Sequence, residues 1–210
     1  MIMPPSEPLT NGFSPVPPGR IATVVTYLDM TRRPLSGIPS KVQPALDLER
    51  IDGTSLNAYR ACFRRVGEDW LWFSRLAMSD EELRRILDDP SVTALILRQE
   101  KRSIGLLELD FRQTGECEIA FLGLAAEAIG KGLGRALMDR ALALAWAEPI
   151  RRLWVHTCGF DHPAALGFYR RCGFRPYAFA VEVLDDPRLT GLIARKRAPH
   201  VPLIEPGLAI

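Results

Sequence analysis

The 210-residue sequence is poor in cysteine, in net charge and in long apolar runs. It has only four cysteines (Cys62, Cys117, Cys158 and Cys172), and no two form a CxxC pair. That is too few for a disulfide scaffold, so reduced thiols and a cytoplasmic setting are expected. The 27 basic side chains nearly balance the 25 acidic ones, leaving a net charge of +2. This argues against a nucleic-acid binder that works by charge alone. The most apolar stretch, near residues 136–147, contains Asp139 and Arg140 and is too short to span a bilayer. The first residues, MIMPPSEPLT, have neither the basic nor the apolar region of a signal peptide. Neither a membrane nor a nucleic-acid partner is therefore expected.

What is present reads as one globular domain, with 47% hydrophobic and 25% charged residues. Six of the first twenty residues are proline, so 1–20 is expected to be an extended, flexible leader. A domain over 21–197 and a tail over 198–210 complete the expected organisation. Residues 21–28 (IATVVTYL) and 46–51 (LDLERI) read as strands, and Leu56 to about Arg75 as helical. Ser79 followed by Asp80, Glu81 and Glu82 marks a helix start, and Asp89-Pro90 marks its stop. VTALILRQ, SIGLLELDF and ECEIAFLGL, separated by polar turns, read as consecutive antiparallel strands. A glycine-rich turn, the apolar helix RALMDRALALAWA, the strand RRLWVHT and the helix PAALGFYRRC follow, the last capped by Gly173. A closing strand pair is expected near 176–184 and 191–196. This order predicts an α/β (α+β) fold, a mixed sheet with helices packed on it.

The turn Ile129-Gly130-Lys131-Gly132-Leu133-Gly134-Arg135 lies between a strand and a helix. Glycines let the backbone approach a ligand, and a helix start offers unpaired N–H groups to an anion; a pyrophosphate suits both. A P-loop is excluded, because Gly132 follows Lys131 where Ser or Thr is needed. A dinucleotide fingerprint also fails, because Arg135 or Leu137 stands where glycine or alanine is required. Glycines of purely steric origin remain the alternative.

With these residues in view, the chain resembles the GNAT family of N-acetyltransferases. The family's Gln/Arg-x-x-Gly-x-Gly/Ala motif matches 129–134, with Ile129 in the first position. Residues 162–174 match Asn-x-x-Ala-x-x-x-Tyr-x-x-x-Gly-Phe, with His162 replacing asparagine. The resemblance implies a GNAT fold, a central, mostly antiparallel sheet of six or seven strands with about four helices, and acetyl-CoA as cosubstrate. It also implies an amine-bearing small molecule or peptide as acceptor, and a homodimer as one form of assembly. By resemblance, Leu122, Gly123 and Leu124 meet the pantetheine and thioester, the oxyanion contact falls near Leu122, and 129–135 with His162 complete the donor site. Tyr169 then occupies the position that protonates the departing thiolate; its spacing from Ala165 and Leu166 equally suits helix-on-sheet packing.

Acetyl transfer to a primary amine by direct attack needs a base. Glu118 lies among Ile119, Ala120 and Phe121 in the strand before the turn, where partial desolvation would raise a carboxylate pKa. The resemblance implies the same assignment. Glu116, on the same face, reads as a surface residue, and Gly123 reads as a bulge or a close backbone approach. His156 is an alternative base. A zinc site built from His156, Cys158 and His162 lacks a fourth ligand, and no metal is expected. Trp70, Trp72 and Phe73 read as core aromatics, while the resemblance implies that they line the acceptor pocket, and Arg151-Arg152 reads as a solvated helix end. The alternatives to acetyl transfer are a non-catalytic acyl-CoA-binding module and an acyltransferase using another acyl-CoA.

Overall fold

The computed structural model describes residues 11–33 and 45–207. Seven strands form one sheet in the order β2-β3-β4-β5-β6-β1-β7: β1 Arg20–Met30, β2 Asp47–Ile51, β3 Val92–Gln99, β4 Arg102–Asp110, β5 Glu116–Leu124, β6 Arg152–Cys158 and β7 Arg175–Asp185. Every pairing is antiparallel except that of β5 with β6. The helices are α1 Leu56–Gly67, α2 Ser74–Ala77, α3 Asp80–Leu87, α4 Leu133–Ala145 and α5 Ala165–Arg171. The architecture is the mixed sheet with helices on both faces that the element order predicts.

Each face has its own core. On one, α4 buries Leu137, Met138, Ala141 and Ala145 and α5 buries Tyr169, against Leu28, Leu109, Ile119 and Val155 of the sheet. The α4 positions recur at helical spacing, which is why an apolar segment interrupted by Asp139 and Arg140 folds as an amphipathic helix. On the other face, α1 sets Tyr59, Phe63 and Val66 against Ile96 and Leu106, and α3 adds Leu83 and Leu87. The start of α3 is a capping box: Ser79 Oγ accepts from Glu82 N at 3.2 Å, and Glu82 Oε2 accepts from Ser79 N at 2.8 Å.

Three expectations are corrected. There are five α-helices among the described residues, because the helix expected over 56–75 breaks after Gly67. Trp72 packs onto Gly67 where a Cβ would lie 2.5 Å from the indole, and Leu71 takes the left-handed conformation (φ 56°). Residues 191–196 are not a strand: Ile193 is buried as a single anchor with Ala198 and Val201 against Leu71 and Phe160, so no ladder is built. Arg152 is not a solvated helix end. Its guanidinium meets Asp29 at 2.9 Å and Glu116 at 3.4 Å and lies over the Tyr177 ring.

Of the expected leader, residues 1–10 lie outside the described residues, and Gly19 N donates to Ile204 O at 2.8 Å. The segment expected as a tail folds back on the domain up to that point. Arg188, buried and paired with Asp186, donates to the carbonyls of Ala198, Val201 and Pro202. A guanidinium can satisfy this many acceptors with one planar fork.

A second buried charge ties α2 to the sheet. Glu108 of β4 is wholly buried, accepts from Arg75 at 2.5 Å and also accepts from the Tyr59 hydroxyl. Burial acts first to lower the Arg75 pKa, and the Glu108 charge outweighs it, so the guanidinium stays charged. Removing one member strands the other. Glu108→Ala is expected to cost about 3–5 kcal/mol, whereas an apolar replacement of both Glu108 and Arg75 recovers most of it. Urea denaturation of the single and double variants measures this; equal losses in both would refute it.

Candidate active site

The site is organised by where β5 parts from β6. The parallel pairing covers Glu116↔Arg152, Cys117↔Leu153 and Glu118↔Trp154 and goes no further, although β5 continues to Leu124 and β6 to Cys158. Beyond Glu118, the edge of β5 that faces β6 therefore carries backbone groups with no ladder partner. A wedge opens there between the two strands.

Within β5 the register against β4 shifts between Glu108 and Leu109, so that Ala120 is the extra residue. The bulge expected at Gly123 thus lies three residues earlier. Its effect is on facing. Cys117 and Ile119 enter the α4–α5 core, whereas Phe121, past the bulge, packs with Phe63 and Trp72 on the α1 face that Glu118 also occupies. A strict alternation would have sent Phe121 to the opposite side. Gly123 meets the other half of its expectation, close approach: a Cβ there would lie 2.5 Å from Val66 and 2.9 Å from Trp72.

On the α1 face, Glu118 is half-buried and its Oε1 lies 3.3 Å from Nδ1 of His156 on β6. Tyr27, directly opposite His156 on β1, has its ring centroid 5.9 Å from the imidazole, with Trp154 and Tyr177 beside it. Burial acts first to lower the His156 pKa. The Glu118 hydrogen bond and charge, with the charges of Asp161 and Glu182, more than offset it, so the pKa rises above the ordinary 6.5. Tyr27 is also raised, by burial first and then by Glu182, Tyr177 and Glu118. Glu116, half-buried, is paired with Arg152 at 3.4 Å.

The glycine turn leads from β5 into α4. Gly130 (φ 81°) and Gly132 (φ 79°) both adopt the left-handed conformation, and a Cβ on either would meet nothing within 4 Å, so the backbone here is open. Gly132 is the N-cap of α4, no side chain caps it, and the first turn holds no acid. The N–H groups of Leu133, Gly134 and Arg135 therefore stand at a positive helix end. Gly134 lies against Leu124, which joins the end of β5 to the start of α4. Lys131 and Ile129 are exposed beside the turn. Arg135, expected to add charge, is instead bridged along the helix to Asp139 at 2.8 Å.

His162, Tyr169 and the tryptophans lie after β6 or above it. His162 Nδ1 accepts from Ala164 N at 3.1 Å, the bond that an asparagine carbonyl makes in an Asx turn, and its ring meets Trp70. Tyr169 is only 7% exposed, packs on Phe168 and Phe174, and has its pKa raised chiefly by burial. Trp72 donates to Asp161 at 3.0 Å and packs on Phe63 and Phe121; Trp70 meets His162 and His200. Phe73 packs with the Ile21–Phe160 cluster. His156 and His162 thus turn to separate partners. Among the described residues no three histidine, cysteine or acidic side chains cluster as metal ligands, and no helix is long and apolar enough to cross a membrane. The sequence reading missed the His156–Glu118 contact and the Arg75–Glu108–Tyr59 cluster. A charged pair on separate strands leaves no local spacing signal.

A profile of the Acetyltransferase (GNAT) family matches residues 57–174, and the chain belongs to that family. No curated protein matches. Among solved structures, the fold is similar to that of a functionally unknown protein from Staphylococcus epidermidis, with TM-score 0.55 and 15% identity over 80% of this chain and 63% of that one. It is similar to a putative GNAT acetyltransferase from Novosphingobium aromaticivorans, with TM-score 0.55 and 15% identity over 81% of this chain and 68% of that one. An aminoglycoside acetyltransferase from an uncultured soil metagenomic sample gives TM-score 0.53 and 21% identity over 64% of this chain and 95% of that one.

The raised His156 pKa has a definite sign. Its stabilising contribution is full below the unfolded value of about 6.5 and is lost as pH rises through the folded one. NMR titration of the imidazole is expected to show the raised pKa, and Glu118→Gln to lower it. An unchanged titration in the variant would exclude Glu118 as the cause.

Proposed function

We propose that this protein is an N-acetyltransferase that moves the acetyl group of acetyl-CoA to a primary amine by direct attack, with Glu118 as general base. The observation that carries the reading is the wedge between β5 and β6, with Glu118 at its apex and the open start of α4 at the end of β5. Backbone N–H groups over 130–135, with Lys131, suit a pyrophosphate, and Ile129 costs little there because the backbone supplies the donors. The unpaired edge at Leu122, Gly123 and Leu124 suits the pantetheine arm, and its N–H groups near Leu122 suit the thioester oxygen. His162 shapes the start of α5 as an asparagine would. Four free cysteines fit a reducing, cytoplasmic setting.

In the reaction, the amine nitrogen attacks the thioester carbon while the Glu118 carboxylate takes its proton. The C–S bond then breaks and the thiolate leaves. Tyr169, a phenol protonated at neutral pH, is the donor we assign to that sulfur by the resemblance. The acceptor is an amine-bearing small molecule or peptide. Two soil-metagenome structures similar in fold are described as aminoglycoside acetyltransferases, one of them bound to sisomicin. At that identity the likeness speaks to the fold alone.

Two measurements test the reading. Acetyl-CoA at about 100 times its Kd should add about 2.7 kcal/mol, a rise in Tm of about 5 °C or more, while ATP should add nothing. No shift would refute the donor site. Release of CoA thiol with a panel of amines should then fall roughly 10²–10⁴-fold in Glu118→Gln with acetyl-CoA affinity retained. An unchanged rate would remove Glu118 from the chemistry. A shift without turnover on any amine would leave the acyl-CoA-binding module in its place.

A further inference from the structure

Glu118 needs no imidazole beside it to take a proton, yet His156 reaches it from another strand. Nδ1 of His156 and Oε1 of Glu118 lie 3.3 Å apart, an ion-pair contact to one carboxylate oxygen that does not involve the second. The groups around the imidazole come from four elements. Glu118 approaches from β5, Tyr27 from β1, Glu182 from β7, and Asp161 from the loop after β6. Asp161 is already committed to the Thr157 hydroxyl, the Cys158 N–H and the Trp72 indole. Trp154, on the same strand as His156, lies 6.3 Å from its ring. The imidazole is 46% exposed and Glu118 only 21% exposed, so His156 stands on the solvent side of the pair.

We propose that His156 is a positioning residue for the base: its Nδ1–H holds Oε1 of Glu118 so that Oε2 receives the amine proton, and its own charge state sets how strongly that carboxylate attracts a proton. The inference rests on the reading of Glu118 as base. The balance is as follows. The amine lone pair forms the N–C bond and the C–S electron pair leaves with sulfur. The amine N–H breaks as the Oε2–H forms, and His156 keeps its Nδ1–H throughout. Glu118 returns the proton to water at the half-open mouth of the cleft. An imidazolium beside the carboxylate stabilises its anionic form and makes it a poorer base. Activity therefore falls as pH drops through the raised pKa of His156, well above the carboxylate range.

The test is kcat/KM from about pH 5.5 to 9 for wild type, His156→Ala and His156→Asn on one amine, each variant expressed as a ratio to wild type so that the ionisation of the acceptor cancels. Removing the donor in His156→Ala is expected to lower kcat roughly tenfold or more with the acetyl-CoA KM unchanged. The asparagine side-chain N–H can replace Nδ1–H without titrating. His156→Asn is therefore expected to recover most of that loss above neutral pH, and its ratio to wild type to climb as pH falls. Ratios flat with pH in both variants would overturn the proposal, whether near one or uniformly low. Absence of transfer by the wild type to every amine of the panel would overturn the base assignment itself, and is told apart because no profile then exists.

Discussion

The site depends on one change in strand pairing. β5 and β6 share three parallel pairs and then separate, in a sheet whose other neighbours are all antiparallel. A parallel ladder abandoned part-way leaves an edge of unpaired backbone groups inside the sheet, where water or a ligand must satisfy them. The same parting sets Glu118 and His156 on opposite lips at its apex. At the far end of β5 the chain must turn into α4, and Gly130 and Gly132 provide the left-handed conformations that this turn requires.

Two further constraints keep the wedge in shape. The bulge at Ala120 shifts the facing of β5, so that an acid and an aromatic share one face while the residues before it fill the opposite core. Gly123 then allows Val66 and Trp72 to close against the strand. Above this face the α1–α2 segment is held from two directions. Beneath it, Arg75 is paired with Glu108 in the sheet. Beside it, residues 193–201 pack on Leu71, drawn in by Arg188 and its carbonyl partners. Both anchors are buried ion pairs with further hydrogen-bond partners, so removing either member would leave its partner charged and unpaired.

The legible parts of this structure were those with local causes. The capping box at Ser79 joins neighbours three residues apart, α4 repeats its apolar face every three or four residues, and the glycine turn punctuates a strand and a helix. The motif around His162 was legible in pattern, and its departure from asparagine has a local explanation, since imidazole Nδ1 accepts the same backbone bond. The misreadings had distant causes. The helix expected to reach Arg75 stops because Trp72 folds onto Gly67. Arg152 is drawn to Asp29 and Glu116, and Ile193 is a lone anchor in place of a strand residue.

By itself the sequence determined the mixed sheet, the order of its elements, the glycine turn with its helix start, and Glu118 as an acid next to the apolar run Ile119-Ala120-Phe121. Periodicity, capping and turn chemistry act between residues close in the chain, so they can be read without a fold. Only the tertiary structure decided that β5 parts from β6 after Glu118, that the bulge falls at Ala120, that Arg135 turns to Asp139, and that His156 leans on Glu118. Those outcomes depend on register between strands and on which side chains meet across them, and residues 38 positions apart in the sequence carry no mark of it.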